Sequence, residues 1–177
     1  TDSIDAYIHL GDLLREVGQP ERALKIHREL TVRGGQTPSQ ERAVREGLIL
    51  DLIAVGRAME AVEEARALRE LDRKNAGALR LLLIAQEAAG DWEHTFDTRS
   101  EIARTTGERN GNGLARYRSA LGEIYLHEGR MDEAKREFQS AMRIQRDEPA
   151  ALLRLGDIYY ESNRPDRAGV LWKALAE

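Results

Sequence analysis

The sequence predicts an all-α protein, a right-handed superhelical array of about five helix-turn-helix units, and three observations lead there. The first is a pattern repeated at constant internal spacing. Leu121-Gly122-x-x-Tyr125 is followed by Ala134-x-x-x-Phe138, and 34 residues on Leu155-Gly156-x-x-Tyr159 is followed by Ala168-x-x-x-Trp172. A further copy, Tyr7-x-x-Leu10-Gly11-x-x-Leu14 followed by Ala23-x-x-x-His27, stands near the start. The second is a series of turn residues, Gly18, Gly56, Gly90, Gly129 and Asn163, separated by steps of 38, 34, 39 and 34 residues. Each follows one apolar helical stretch and precedes another, where glycine and asparagine tolerate the left-handed backbone that ends a helix. The third is composition. Ala, Leu, Glu and Arg dominate and aromatics are only 5%, and such straight or small side chains lose little rotamer freedom in a helix.

The repeats fall at about 4–35, 39–73, 75–106, 113–147 and 149–177, two helices of about 12–17 residues in each. Pro20, Pro38, Pro149 and Pro165 mark the first turns of helices, where a missing N–H costs nothing. Thr37 to Gln40 reads as a capping box. The 107–113 stretch, with three Gly and two Asn, reads as a mobile loop. The chain begins at Thr1 without Met and stops at Glu177 within a helical pattern, so it reads as a single array over 1–177 excised from a longer protein.

Small residues define the expected helix contacts. Gly11, Gly122 and Gly156 lie where the paired second helix comes close, and Ala23, Ala61, Ala134 and Ala168 occupy the matching place on second helices. Leu10, Leu48, Leu82, Leu121 and Leu155 supply the core stripe, and Phe138 and Trp172 fill the gap toward the next repeat. The third repeat departs most, with Leu83, Gln86 and Thr95 where Gly, an aromatic and Ala are usual. No repeat can bury its apolar face alone, so stability comes from stacking neighbours.

Several functions lose support. With 33% charged residues interleaved in sign and a net charge of −4, the chain lacks the basic stripe of a nucleic-acid binder. It has no Cys, which removes thiolate metal sites and thiol catalysis. His9, His27, His94 and His127 share no i, i+4 spacing, and His27 sits in a packing slot. Carboxylate pairs such as Glu63-Glu64 and Asp132-Glu133 fall on exposed faces or first turns. The glycines near 111–113 lack the Lys and the preceding strand of a phosphate loop. No apolar run approaches the ~20 residues that cross a bilayer. No catalytic residue, metal or cofactor is expected.

The expected site is the groove lined by first helices, which form the inner surface of such a stack. The first repeat offers Ile8, Asp12 and Arg15, and the second Glu46, Leu50 and Ile53. The third offers Arg80, Ile84 and Glu87, the fourth Ser119, Glu123 and Leu126, and the fifth Asp157 and Tyr160. Its middle, Leu50, Ile53 and Ile84, is apolar with charges on either side, which suits an amphipathic helix or an extended protein segment with apolar anchors. Some arrays grip a C-terminal carboxylate with Lys and Asn where this chain has Ile8 and Asp12, then Glu46 and Leu50; an acid there repels a carboxylate, so that mode is not expected.

The repeats resemble the tetratricopeptide family over nearly the whole chain. The segment from Leu10 to Gly18, followed by Glu21-Arg22-Ala23-Leu24-Lys25-Ile26-His27, is also similar to the cytoplasmic array of the lipopolysaccharide assembly protein B family. The long, standard, long order of unit lengths and the Asp91-Trp92 turn share that likeness. The resemblance implies a cytoplasmic adaptor anchored by an N-terminal membrane helix and carrying a C-terminal four-Cys metal domain. It also implies a role in presenting the deacetylase of lipid A synthesis to a membrane-bound AAA+ protease. The functional expectation is a protein-binding adaptor or scaffold with no direct membrane or nucleic-acid contact from this segment. A regulatory or oligomerisation arm of a larger enzyme is the alternative. Self-association through apolar stripes near Ile4 and Trp172 is a third.

Overall fold

The computed structural model describes residues 2–71, 75–107 and 111–177. Ten α-helices and no strand occur among them. They are α1 (Asp2–Glu16), α2 (Pro20–Arg33), α3 (Pro38–Ala54), α4 (Ala58–Leu71) and α5 (Ala76–Ala89), then α6 (Trp92–Thr106), α7 (Gly111–His127), α8 (Met131–Ile144), α9 (Pro149–Glu161) and α10 (Pro165–Ala176). The helices form two compact units, Thr1–Asp91 and Trp92–Glu177. In the first, each of α1 to α4 packs on the next, and α3 also touches both α1 and α5. In the second, each of α6 to α9 packs on the next, and α7 reaches α9.

The turns repeat one hydrogen bond. The amide of Gln19 donates to the carbonyl of Leu14 at 2.8 Å, Arg57 to Leu52 at 2.8 Å, and Asp91 to Gln86 at 2.9 Å. Arg130 donates to Tyr125 and Arg164 to Tyr159, both at 2.8 Å. The residue before each donor has positive φ, and these residues are the five turn positions that the spacing singled out. A left-handed residue lets the next amide fold back onto the last helical turn and satisfy a carbonyl that would lack a partner. Asn163, at φ 57°, does this despite its side chain, as short polar residues can. All four prolines stand in the first turn of a helix. The Thr37 hydroxyl accepts from the Gln40 amide at 3.2 Å, and the Gln40 side chain accepts from the Thr37 amide at 3.0 Å, closing the capping box.

Packing between repeats uses three positions on each side. Ala61, Ala65 and Leu68 of α4 share a core with Ala78, Leu82 and Ala85 of α5. Ala134, Phe138 and Ala141 of α8 share one with Ala151, Leu155 and Ile158 of α9. The registers are the same. Ala134 is fully buried, so Ala134→Leu overpacks this contact and is expected to cost about 1–3 kcal/mol. A thermal melt followed by circular dichroism should show a transition several degrees lower, and an unchanged melt would contradict the register.

Three expectations change. Leu10 is not in the core: it is 42% exposed, whereas its counterparts Leu48, Leu82 and Leu155 are buried. Ile4 lies in the core with Ile8, Leu30 and Val44 and forms no surface stripe. The stretch from Gly111 onward is the first turn of α7, so the expected loop ends before it. Of that loop, Gly107 has positive φ, and residues 108–110 lie outside the described set.

Candidate partner-binding surface

The first unit places Asp12 and Arg15 of α1 beside α3. Arg15 donates to Asp12 Oδ1 at 2.7 Å and to Asp51 Oδ1 at 2.7 Å, with a longer bond to the Gly47 carbonyl at 3.4 Å. Asp51 is fully buried, and its second oxygen lies 2.6 Å from His27 Nδ1, also fully buried. A line of ionisable groups thus runs from the half-exposed Asp12 through Arg15 to a carboxylate and an imidazole inside the fold. Burial opposes the charge on Arg15, but its bonds to Asp51 and Asp12 outweigh that and hold its pKa above the ordinary arginine value.

Residues 27 and 51 stand at two of the positions just described for the repeat contact. Where α4 and α5 use Ala65 and Ala85, and α8 and α9 use Phe138 and Ile158, the α2–α3 contact carries a polar pair. The imidazole is clasped between two helices. A Cβ at Gly11 would stand 2.5 Å from its Cε1, and a Cβ at Gly47 the same distance from its Nε2. His27 therefore packs, as expected from its slot. It also bonds Asp51, a partner that sequence spacing alone did not reveal.

The other expected groove residues divide by unit. In the first, Leu50 and Ile53 of α3 are half-buried, Ile53 lying against the core. Ile84 of α5 is 44% exposed. Glu46 and Glu87 are half-buried and Arg80 is exposed. Ile8 does not face outward, because it is apolar and packs with Leu30 and Val44. In the second unit Arg154 of α9 reaches Glu123 of α7 at 2.6 Å and Asp157 at 3.6 Å, drawing together two of the expected residues. The bond to Glu123, against a smaller opposing effect of burial, keeps the Arg154 pKa raised. Glu123 and Leu126, with His127 and Arg154, line an open hollow of about 690 Å³. Tyr160 is exposed and its ring lies 5.6 Å from that of Trp172. Ser119 is buried within the unit and offers no contact surface.

Antiparallel helix pairs with a small residue at the close approach, a left-handed turn residue and a repeat near 34 are features of the tetratricopeptide class, which this fold resembles. Residues 125–177 match the family model of the tetratricopeptide repeat. Lipopolysaccharide assembly protein B of Escherichia coli strain K12 is 24% identical over 134 residues, covering 76% of this chain and 34% of that protein. The match thus spans about a third of the relative's length. The same figures hold for its counterpart in Escherichia coli O157:H7. Among solved structures, that of MamA covers 98% of this chain and 90% of its own, at 18% identity and a TM-score of 0.63. A thermophilic TPR protein of Thermus thermophilus, TTC0263, covers 97% and 89% at 17% identity and a TM-score of 0.50. These likenesses are of fold. The fold is one that serves as a protein-interaction scaffold. No helix among the described residues is long and apolar enough to cross a membrane, and no cluster of metal-ligating side chains occurs among them.

Proposed function

We propose that this chain is an adaptor that holds a protein segment on the faces of its first helices, without making or breaking a bond. The observation that carries this reading is the contrast between polar and apolar positions there. Asp12 and Asp51 are engaged with Arg15, and Glu123 and Asp157 with Arg154. Leu50, Ile53 and Ile84, on adjoining helices of the first unit, keep apolar surface open to solvent. An amphipathic helix or extended segment with apolar side chains gains from covering them, while the bonded charges fix the surface in advance and lower the ordering cost of binding.

The finer reading is a cytoplasmic role in the regulation of lipopolysaccharide synthesis. It is supported by the similarity to lipopolysaccharide assembly protein B. The test is affinity capture from the native lysate with the unmodified chain beside its Ile53→Asp/Ile84→Asp variant. The adaptor reading predicts a protein retained by the first and lost from the second at unchanged helicity. An enzyme or protease of lipid A synthesis among the retained proteins would support the finer reading. Equal retention by both chains would contradict the site.

A further inference from the structure

We infer that the hollow on α7 and α9 takes an amphipathic helix of a partner protein whose polar face carries Lys or Arg, an inference that rests on the adaptor reading and names the chemistry of what is held. The hollow is not an end of the array. The helix α7 packs on α6, α8 and α9, and α9 packs on α7, α8 and α10. Ile124 and Leu126, both half-buried, give the hollow its apolar lining. A volume of about 690 Å³ has room for several side chains. A trough beside neighbouring helices receives a third helix by taking in its ridge of apolar side chains.

Charge selects the kind of helix. The arginine of the lining, Arg154, is held by Glu123 at 2.6 Å and by Asp157 at 3.6 Å. Glu128 is bonded by Arg130 at 3.0 Å, and Arg130 also reaches Glu133 at 3.3 Å. Two arginines thus serve four carboxylates, and the excess charge at the hollow is negative. Among the described residues Glu123 and Glu128 each accept through one oxygen, and their side chains are 39% and 50% exposed. A carboxylate accepts several hydrogen bonds, so each has capacity for a further donor. A partner's Lys or Arg beside an apolar side chain fits that arrangement, whereas an acidic segment would meet like charge.

The test is fluorescence anisotropy of labelled peptides titrated with the full chain. An amphipathic helical peptide of leucine and lysine should bind. Its leucine–glutamate counterpart should not, nor should a leucine–lysine peptide of the same composition in scrambled order. Glu123→Gln/Glu128→Gln should weaken binding by about 3- to 10-fold, the scale of two exposed ion pairs. Glu63→Gln/Glu64→Gln on α4 removes the same charge elsewhere and should leave binding unchanged. If circular dichroism shows that the Glu123 change lowers helicity, Glu128→Gln alone replaces the pair. No binding of the leucine–lysine helix, equal binding of either control peptide, or equal effects of the two double variants would each overturn the proposal. The adaptor reading fails separately, by equal capture with and without Ile53→Asp/Ile84→Asp. Capture lost in that variant but undiminished in Glu123→Gln/Glu128→Gln would keep the adaptor and overturn the hollow as its site.

Discussion

Asp51→Ala is expected to destabilise the chain by about 3–5 kcal/mol, the range for removing one member of a buried ion pair. Asp51 is fully buried and accepts from Arg15 and His27 at 2.7 and 2.6 Å. Without it, the imidazole loses its buried acceptor, and Arg15 keeps only Asp12 and a long bond to a carbonyl. The volume lost is not the main cost, since the α5 counterpart is an alanine in an intact contact. Asp51→Ala combined with His27→Phe should therefore be milder than Asp51→Ala alone, because it removes the orphaned polar ring along with its partner. Phenylalanine at this slot has a precedent in Phe138. Urea unfolding of the single and double variants measures the coupling. A near-neutral Asp51→Ala, or a double variant that loses the sum of both single effects, would show that the pair is not coupled.

The second large effect is expected at Gly122. A methyl group there would stand 2.7 Å from the Phe138 ring, which is fully buried and cannot swing aside. Alanine is favoured over glycine in a helix by about 1 kcal/mol, but overpacking of about 1–3 kcal/mol should win. Gly122→Ala should thus lower the melting temperature, and Phe138→Leu in the same chain should recover part of the loss by opening the space. Gly169 of α10 is the control, since nothing lies within 4 Å of a Cβ built on it. Gly169→Ala should stabilise by up to about 1 kcal/mol. Opposite signs at the two glycines would follow from packing alone, and equal signs would refute it.

The local signals in the sequence were strong because each is set by a few neighbouring residues. A left-handed turn residue, a first-turn proline and a capping box act within one helical turn, and Gly18, Pro149 and Thr37 all stand as read. Misreadings arose where the outcome depends on a distant neighbour. Leu10 matches the core motif yet is 42% exposed, since burial is a property of the pair of helices and not of the motif. His27 and Asp51 are 24 residues apart and belong to different repeats, so no helical spacing links them. Their signal was a departure from the repeat: a histidine in an aromatic slot, opposite an aspartate where the other repeats have apolar side chains. Ile8 and Ser119 were placed on the open face by counting along the helix, but both are buried, Ile8 in the core with Leu30 and Val44. Gly111 to Gly113 read as loop by composition, whereas helix first turns tolerate glycine and asparagine.

The claim that the first-helix face binds a protein is tested most directly by site-specific photo-crosslinking in the native cell. A photoreactive side chain is placed at Ile84 on α5, which is 44% exposed, and for comparison at Met59 on α4, which is 61% exposed. The adaptor reading predicts a discrete crosslinked protein from position 84 and none from position 59. Crosslinks of equal yield from both positions, or from position 59 alone, would contradict it.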